Sequence, residues 1–458
     1  MITKIEISGF KTFDKFAMEF APLTIIAGAN ASGKSNLFDA MQLLGRLVDM
    51  DLKTAFSEQR GNASELFTQY ESGESNDEMH FAVELLLDKT IKDKFGGTAN
   101  LKYTRLRYEI IIKQIINSRG VQDLIVVSES LNPIRHEEDS WISVYIQRKV
   151  VEKWRPKVLS GRRGVAYIDT INDRVNLRQD GKGGIKKEFS LDNINQAIIS
   201  VVNSVDFPHA LAAKEEIKNW RFLQLNPEDL RQPSSYLSKD FISHTGKNLA
   251  AALHRIKVNE PNSLMQLTRR LNSILPNITT VDVVDDKAGQ QFVIQVKALD
   301  GRVFTSRVLS EGTLRLLALC VFMFDADYKG LLCFEEPENG IHPARMKLTA
   351  ELLMDLVTHF EKSDKDELRQ VIVNTHSPVL VADAFGLSYQ NVCRVWMSQL
   401  VTHISNTGIK QKVQITKMIP VVTGSTQLAM EFSENERRLT LANVIEYLKV
   451  IDTEQVIQ

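Results

Sequence analysis

Short apolar runs alternate with segments of helical apolar spacing in two stretches of the chain. Residues 23–27 form a β-prone run, and apolar side chains then recur with helical spacing to about residue 48. In the last third of the chain, helices are predicted over 314–324 and 344–360, and strands over 330–334 and 370–374. This alternation is typical of a parallel α/β core.

The intervening part has a different pattern, in which strands give way to helices. Period-two alternation predicts strands near the start and again further on, over 2–7, 17–20, 79–87, 101–112, 124–127 and 141–151. Residues 51–78 are polar and are predicted as loop, and residues 155–190 as a basic, glycine-rich hairpin region. Apolar spacing then predicts helices over 194–205, 210–217 and 246–256. A predicted strand at 291–296 follows them.

These elements predict an α/β fold in which a mixed sheet core is interrupted by an antiparallel β subdomain and a helical insertion. We expect an N-terminal lobe over 1–190 and a helical insertion over 191–275. A C-terminal lobe over 276–420 and a helical tail over 421–458 are expected to follow.

Composition and charge change this picture little. Hydrophobic residues make up 43% and charged residues 25% of the chain, as in ordinary soluble proteins. The net charge of −1 means that a nucleic-acid partner would need a local basic patch. The most apolar stretch, 314–324, is about half the roughly 20 residues that a membrane span needs, so we expect no membrane segment. Cys320, Cys333 and Cys393 lie in or beside apolar runs, which favours buried reduced thiols and a cytoplasmic location.

Residues 28–35 read Gly-Ala-Asn-Ala-Ser-Gly-Lys-Ser, a complete phosphate-loop pattern between a predicted strand and a predicted helix. Gly28 and Gly33 let the backbone curve so that its N–H groups point at phosphate oxygens, and the helix N-terminus adds its dipole. Lys34 can reach the β- and γ-phosphates, and the Ser35 hydroxyl can ligate Mg²⁺. The pattern therefore predicts binding of a nucleoside triphosphate.

Two carboxylates, Glu335 and Glu336, follow the apolar run 330–334. The carboxyl end of a parallel strand is where α/β proteins bind ligands. One carboxylate can hold Mg²⁺, directly or through water, and the next can orient and deprotonate the attacking water. The alternative is a pair of surface glutamates after a core strand, which the phosphate loop upstream disfavours.

Two weaker signals accompany these motifs. In the Leu-Ser-Glu-Gly segment at 309–312, Ser310 can cap a helix and Gly312 permits close approach of an anion to the helix N-terminus. His376 follows the predicted strand 370–374 and could donate to a γ-phosphate. Each signal alone is weak, because many helices begin with Ser-x-Gly and many loop histidines are structural.

In this order, the four elements resemble the ABC-type ATPase heads of the SMC and RecF group. The chain is most similar to bacterial AAA-family ATPases related to the OLD-family ATPase module, and further support comes from residues 7–13, 219–222 and 335–343. The resemblance implies a P-loop NTPase fold of the ABC-ATPase head type, with ATP and Mg²⁺ as cofactors.

The resemblance also implies roles for individual residues. Glu335 is expected on the metal side together with Ser35, Glu336 as the catalytic base, and His376 as a γ-phosphate switch acting with Lys34. The contacts to nucleotide are expected from Gly28, Asn30, Ser32, Gly33, Lys34, Ser35 and Asn36. The glutamine that usually reaches the site is left open between Gln59 and Gln69, with Arg60 as an alternative phosphate contact.

The signature segment implies an assembly. In the resembled family, residues at the positions of Ser310 and Gly312 close over ATP bound by the partner subunit, which implies an ATP-dependent homodimer or a higher homo-oligomer. Asn339, Gly340 and His342 would then line the dimer seam.

The sequence leaves several functions open. No long heptad pattern predicts coiled-coil arms, and residues beyond 391 lack the acidic cluster of a Toprim nuclease, so we expect a separate effector protein, a nuclease or a toxin. The leading hypothesis is a nucleotide-driven switch or sensor that controls this effector, as in bacterial anti-phage defence. The alternatives are a RecF-like DNA repair ATPase and an assembly scaffold with negligible turnover, with a transporter motor as a weaker fourth.

One basic segment bears on nucleic acid. Residues 147–164 contain seven lysines and arginines, with Tyr145 and Trp154 nearby or within. Such a segment could follow a phosphate backbone. A solvated surface, partly neutralised by the acidic residues at 137–139, is the interpretation that the sequence favours.

Overall fold

The computed structural model describes residues 1–156, 165–180, 186–192, 194–361, 367–387, 392–405, 411–422, 439–440 and 446. Their strands in chain order are β1 (Ile2–Ser8), β2 (Phe16–Glu19), β3 (Leu23–Ala27), β4 (Glu78–Leu86), β5 (Thr90–Lys92), β6 (Thr98–Asn100), β7 (Arg105–Ile116), β8 (Gln122–Pro133), β9 (Ile168–Ile171), β10 (Arg174–Arg178), β11 (Lys186–Ser190), β12 (Arg221–Leu223), β13 (Ser234–Ser235), β14 (Ile278–Asp286), β15 (Gln291–Ala298), β16 (Val303–Thr305), β17 (Gly330–Glu335), β18 (Arg369–Thr375), β19 (Cys393–Ser405), β20 (Gln411–Val422) and β21 (Leu439–Thr440). The helices are α1 (Lys34–Leu47), α2 (Leu52–Ser57), α3 (Ser140–Tyr145), α4 (Val151–Trp154), α5 (Pro208–Lys218), α6 (Pro227–Arg231), α7 (Leu249–Asn259), α8 (Pro261–Ile274), α9 (Glu311–Phe324), α10 (Met346–Asp355) and α11 (Pro378–Leu387). Short 3₁₀ turns occur at Ala63–Leu66, Ile198–Val201, Ser306–Val308 and Pro343–Arg345.

The central sheet is mixed and has the order β12-β17-β18-β3-β19-β20-β21. From β12 to β19 the strands are parallel, and β20 returns antiparallel to β19. The phosphate-loop strand β3 thus lies between β18 and β19, which come from the far end of the chain. The carboxyl ends of β3, β17 and β18 meet at one edge of the sheet, where a ligand site is expected in an α/β protein.

The second large sheet is antiparallel throughout and has the order β11-β10-β9-β8-β7-β4-β1-β2. A smaller antiparallel sheet joins β13, β14 and β16 to β15. The central sheet divides the two main hydrophobic cores. Ile26 of β3 packs into the core shared with α1 and the antiparallel sheet, whereas Leu23 and Ile25 pack into the core formed with α9 and α10. The predicted mixed core with an antiparallel β subdomain is confirmed.

Two predicted elements are wrong. The strand predicted over 141–151 is replaced by α3 and α4, because Trp141 and Tyr145 point to one aromatic cluster at a spacing of four residues and the Asp139 carboxylate accepts from the Ile142 N–H. The helix predicted over 194–205 is reduced to the 3₁₀ turn Ile198–Val201. The side chains of Glu129 and Lys214 satisfy several of its backbone groups.

Smaller differences occur in segments predicted as loop or tail. The polar region 51–78 contains α2, whose N-terminus is capped by Asp51 through a 3.1 Å bond from the Thr54 N–H. Leu439–Thr440 pairs with β20 as a short strand, inside the range 421–458 that was predicted as a helical tail, and residues 421–422 belong to β20. The remainder of that range, except residue 446, lies outside the described residues, and the division into four ranges stays a prediction.

No helix in the described part of the chain is both long and apolar enough to cross a membrane. Cys320 and Cys333 are buried and Cys393 is partly buried, each as a free thiol. Burial raises the pKa of Cys320 and Cys393 to about 12.

Candidate active site

The phosphate loop is held by close backbone contacts to strands from the far end of the chain. Gly33 has φ 92°, and a β-carbon there would lie 1.9 Å from Thr416 Oγ1. A β-carbon on Gly28 would lie 2.7 Å from the Ser398 carbonyl oxygen. The Ser398 hydroxyl in turn donates to the Ser32 carbonyl, at 2.8 Å. Glycine is needed at these two positions because no side chain fits between the loop and β19–β20.

Lys34 begins α1 directly after the loop, and only 7% of its surface is exposed. Its ammonium group donates to the carbonyl oxygens of Gly28 and Ala29, each at 2.6 Å. Burial lowers the pKa of Lys34 to about 8, although the carboxylates of Glu336 and Glu338 act in the opposite direction. The lysine therefore lies inside the loop with its charge facing the acidic strand end.

Glu336 is the carboxylate held most firmly at the end of β17. Its Oε1 lies 3.2 Å from His376 Nδ1, and its Oε2 accepts from Asn339 Nδ2 at 2.7 Å. The His376 contact, then that of Asn339 and the charge of Lys34, hold the pKa of Glu336 at about 2 in spite of its burial. The backbone of Glu336 has φ 48°, a conformation that costs a non-glycine residue on the order of 1–3 kcal/mol. The structure thus brings Glu336, His376 and Lys34 together, as predicted.

Glu335 and Asn374 are register partners on the adjacent parallel strands β17 and β18. The Asn374 side chain points toward Ser35, with 3.5 Å between Nδ2 and Ser35 Oγ. Burial raises the pKa of Glu335, and the charge of Arg60 opposes this effect. Of the two residues predicted to hold metal, Ser35 thus contacts the Asn374 side chain and Glu335 is the strand partner of Asn374.

Buried polar atoms without a partner among the described residues cluster around this edge. They include Ser32 Oγ, Glu338 Oε2 and Asn374 Oδ1, on residues that are at most 6% exposed. A buried polar group without a hydrogen bond costs about 1–3 kcal/mol. Three such atoms around one lysine and one serine hydroxyl fit a site that receives phosphate oxygens, a hydrated cation, or both.

Glu338 is a third carboxylate in the site that the sequence did not single out. The Thr375 hydroxyl donates to its Oε1, and burial raises its pKa against this hydrogen bond. Its charge still influences Lys34. The Glu-Pro-Glu spacing could have indicated this residue, because Pro337 turns the chain and returns the next carboxylate to the strand end.

The signature segment packs directly on the loop that follows Glu336. Ser310 caps α9, with 3.4 Å from the Thr313 N–H to Ser310 Oγ, and it is exposed to solvent. Gly312 is buried, and a β-carbon there would lie 2.4 Å from the Gly340 carbonyl oxygen. Gly340 has φ 70° and allows the reverse contact with the side chain of Glu311.

The sequence of this chain matches a known family over most of its length. Residues 23–382 match the family described as "AAA domain, putative AbiEii toxin, Type IV TA system". The chain belongs to this AAA-domain family. The matched range includes the phosphate loop, the signature segment, Glu336 and His376, so the prediction of an AAA-type P-loop ATPase is confirmed.

Individual relatives of this AAA domain are distant. A curated relative from Helicobacter pylori (strain ATCC 700392 / 26695), described as an ATP/GTP phosphatase, is 23% identical over 382 residues, which span 82% of this chain and 85% of the relative. A solved SMC head bound to the C-winged helix domain of ScpA is 14% identical with a TM-score of 0.47, covering 92% of this chain and 97% of its own. An SMC head with a coiled coil and joint from Pyrococcus yayanosii is 11% identical with a TM-score of 0.43. This match covers 98% of the present chain and 99% of that head.

Other candidate residues of the AAA domain are Gln59, Asn36 and Asn30. The Gln59 side-chain oxygen can accept from the Leu43 N–H at 3.1 Å and from Arg46 at 2.7 Å, which commits this residue to α1. Asn36 donates to the Thr12 hydroxyl at 2.9 Å, and Asn30 is exposed on the loop. The roles of these residues in nucleotide binding stay predictions.

A cavity of about 630 Å³ opens between the turn after β1, the segment around Gln69 and the β19–β20 hairpin. Lys11, Thr12, Gln69 and Tyr70 are among its lining residues. Thr12 connects the cavity to the phosphate loop, because its hydroxyl lies 2.7 Å from that of Thr416, which contacts Gly33.

The basic segment offers little for nucleic acid in its described part. Tyr145 and Trp154 are buried in an aromatic cluster with Trp141 and Phe360, so their rings are not available to stack on bases. Arg155 lies 3.4 Å from the Asp139 carboxylate. Residues 157–164 of this segment lie outside the described residues.

Proposed function

We propose that this AAA domain hydrolyses ATP at the edge formed by β3, β17 and β18. The observation that carries the proposal is the Glu336 carboxylate, held from two sides by His376 and Asn339 while facing the charge of Lys34. A carboxylate with a pKa near 2 is ionised at neutral pH, and both its oxygens are oriented. It is therefore in the unprotonated form that a base requires, and it is suited to orient an attacking water.

The other residues of the edge bind and position the substrate. Lys34 exchanges its two loop carbonyl partners for phosphate oxygens, and the N–H groups of the loop and of α1 add partial positive charge. Ser35 and Glu335 would hold Mg²⁺. A Mg²⁺ ion bound there would neutralise part of the negative charge of the phosphates. His376 lies against Glu336 and can sense the presence of the γ-phosphate.

We further propose that the nucleoside enters the cavity beside Thr12. The cavity offers the Tyr70 ring and the Gln69 amide to a base and ribose, and Lys11, whose ammonium group pairs with Asp39, lies in its wall. Thr12 links the cavity to the loop through Thr416. The name of the Helicobacter pylori relative, an ATP/GTP phosphatase, supports a substrate of the nucleoside triphosphate class.

At the level of the assembly, we propose an ATP-dependent homodimer that acts as a switch for a separate effector. The exposed Ser310 at the N-terminus of α9 supports this, because it leaves the signature segment free to contact a second copy. The family description, which names a toxin of a type IV toxin–antitoxin system, supports a role in conflict or defence, with a nuclease or toxin as effector.

The test is steady-state ATP hydrolysis by the wild-type chain, Glu336→Gln and Lys34→Ala. Glu336→Gln should lower kcat by about 100-fold or more while the Kd for ATP changes little, because the base is lost and the binding groups remain. Lys34→Ala should lose ATP binding. A wild-type rate for Glu336→Gln would contradict the assignment of the base.

The same assay distinguishes the alternative functions. Turnover that rises on addition of duplex DNA would favour a RecF-like repair ATPase. Turnover that is slow and indifferent to DNA would favour the switch, and no hydrolysis above the enzyme-free background by either protein would favour a scaffold.

A further inference from the structure

Asn374 is unusual for its place in the fold. It lies in a central strand, in the otherwise apolar run Val371-Ile372-Val373, and is 3% exposed. Asparagine is disfavoured in strands, and a buried asparagine is normally fully hydrogen-bonded. The Asn374 backbone is satisfied, since its carbonyl accepts from the Glu336 N–H at 2.8 Å. Its side chain therefore needs a separate explanation.

The side chain of Asn374 is only half satisfied. Nδ2 makes one long contact of 3.5 Å to Ser35 Oγ, and Oδ1 has no partner among the described residues. A strand residue chosen for stability alone would be apolar here, as its neighbours are. Its amide oxygen is buried and unpaired, on a side chain whose nitrogen is the atom that faces the Ser35 hydroxyl. Such an oxygen is instead suited to receive a group that arrives with the ligand.

The neighbours of Asn374 identify that group. Its nitrogen Nδ2 faces Ser35 Oγ, and Glu335 is its register partner on β17. Serine hydroxyl, carboxylate and amide oxygens are the hard ligands that Mg²⁺ prefers, and Mg²⁺ usually keeps several waters that need acceptors. A phosphate oxygen would be repelled by an amide oxygen, whereas a cation or its bound water would be attracted.

We propose that Asn374 is a member of the Mg²⁺ site, contributing Oδ1 to the metal or its water shell alongside Ser35 and Glu335. This inference rests on the proposed function, because it presumes a metal–nucleotide complex at the phosphate loop. It adds a ligand group from β18, so that three adjoining elements each contribute one oxygen to the cation.

The test is metal affinity rather than turnover. Mn²⁺ replaces Mg²⁺, and its free concentration is followed by electron paramagnetic resonance in the presence of ATP and the full-length chain carrying Glu336→Gln, which prevents hydrolysis. Asn374→Leu and Asn374→Asp are compared in this background. The matched control is Asn176→Leu, because Asn176 is also a buried strand asparagine, 4% exposed, but bonds Asp169 in the antiparallel sheet.

Asn374→Leu should weaken Mn²⁺ binding by about 10-fold or more, the usual effect of removing a group that supports a metal ligand. Asn374→Asp should bind Mn²⁺ at least as tightly as the parent, because a carboxylate keeps the oxygen and adds charge. Asn176→Leu should leave Mn²⁺ affinity unchanged. ATP binding in EDTA should be the same in all variants, which shows that the loop is intact.

Two results would overturn the proposal. Parental Mn²⁺ affinity in Asn374→Leu would mean that Oδ1 bonds only an ordered water. Equal losses in Asn374→Leu and Asn374→Asp would mean that the amide N–H, through Ser35, is what matters. If Asn374→Leu fails to fold, Asn374→Ser provides the same comparison. Failure of the parent to bind ATP would contradict the proposed function instead.

Discussion

At the scale of single residues, Lys34 shows how the loop prepares for its ligand. The ammonium group is buried and bonded to two loop carbonyls, and burial lowers its pKa to about 8. The negative charge of a bound phosphate would stabilise the charged ammonium group and raise the pKa of Lys34 again. Binding of nucleotide above pH 8 therefore requires uptake of a proton by Lys34.

We predict that the Kd for ATP rises as the pH increases beyond about 8, by up to roughly 10-fold per pH unit, because the uncharged form must first be protonated. Below pH 7 this effect should vanish. The measurement is fluorescence titration with a labelled ATP analogue at pH 7, 8 and 9. Lys34→Arg is the control, since a guanidinium stays charged over this range. The same slope in Lys34→Arg would assign the effect to another group.

At the scale of elements, Glu129 explains why the segment around residue 198 is a short turn and not a helix. Its carboxylate, fully buried on β8, accepts from the N–H groups of Ile198 and Ile199 and from the Tyr108 hydroxyl. The Lys214 ammonium group donates hydrogen bonds to the carbonyl oxygens of Ser200 and Val202. Two distant side chains thus replace the backbone bonds of a helix.

Glu129 should also make stability depend on pH. Burial raises its pKa from 4.5 to about 7 despite the three hydrogen bonds, so the folded state retains a proton that the unfolded chain releases. The protonated carboxyl group contributes its full share to the free energy of unfolding below about pH 4.5. About 3 kcal/mol of this contribution is lost as the pH rises from there through 7.

The prediction is checked by urea unfolding of the wild type and Glu129→Gln at pH 5 and pH 8. The difference in unfolding free energy between the two proteins should change with pH, in favour of Glu129→Gln at pH 8, because the amide cannot ionise. A difference that is constant with pH would show that Glu129 titrates normally.

The sequence predicted the parts of the site that are local in the chain. The bounds of β3 match the prediction, and the phosphate loop, Glu336 and His376 lie together as the motifs implied. Asn374 and Glu338 were not predicted as contacts of the site, because their partners Ser35 and Thr375 are brought to them by folding. Asn339 was expected at the dimer seam, and its bond to Glu336 was not predicted. The wrong strand at 141–151 has the same cause, since its aromatic residues suit a strand locally and a helix only in the presence of Phe360.

At the scale of the whole molecule, the contact between Gly312 and Gly340 joins the surface expected to meet a partner to the loop that holds the base. Asn339, which donates to Glu336, is the neighbour of Gly340. A shift of α9 on contact with a second copy would therefore reach Glu336 through Gly340 and Asn339.

We predict that the Glu336→Gln chain is monomeric without nucleotide and dimeric with ATP and Mg²⁺, because the trapped nucleotide is shared by both copies. Light scattering coupled to size exclusion measures this directly. Adding Ser310→Arg should abolish the dimer while ATP binding to the monomer persists, since Ser310 is exposed and its hydrogen bonds are to Thr313 of its own helix. Dimerisation that is unaffected by Ser310→Arg would contradict the proposed seam.

The position of β3 between β18 and β19 has a consequence for synthesis on the ribosome. The fully buried strand Leu23–Ala27 is made about 340 residues before either of its neighbours in the sheet. At about 5–20 residues per second, this strand waits roughly 20–70 s for its first partner. During that time an apolar edge is open to other chains, so the nascent protein should depend on chaperones that shield its first segment until the last strands emerge.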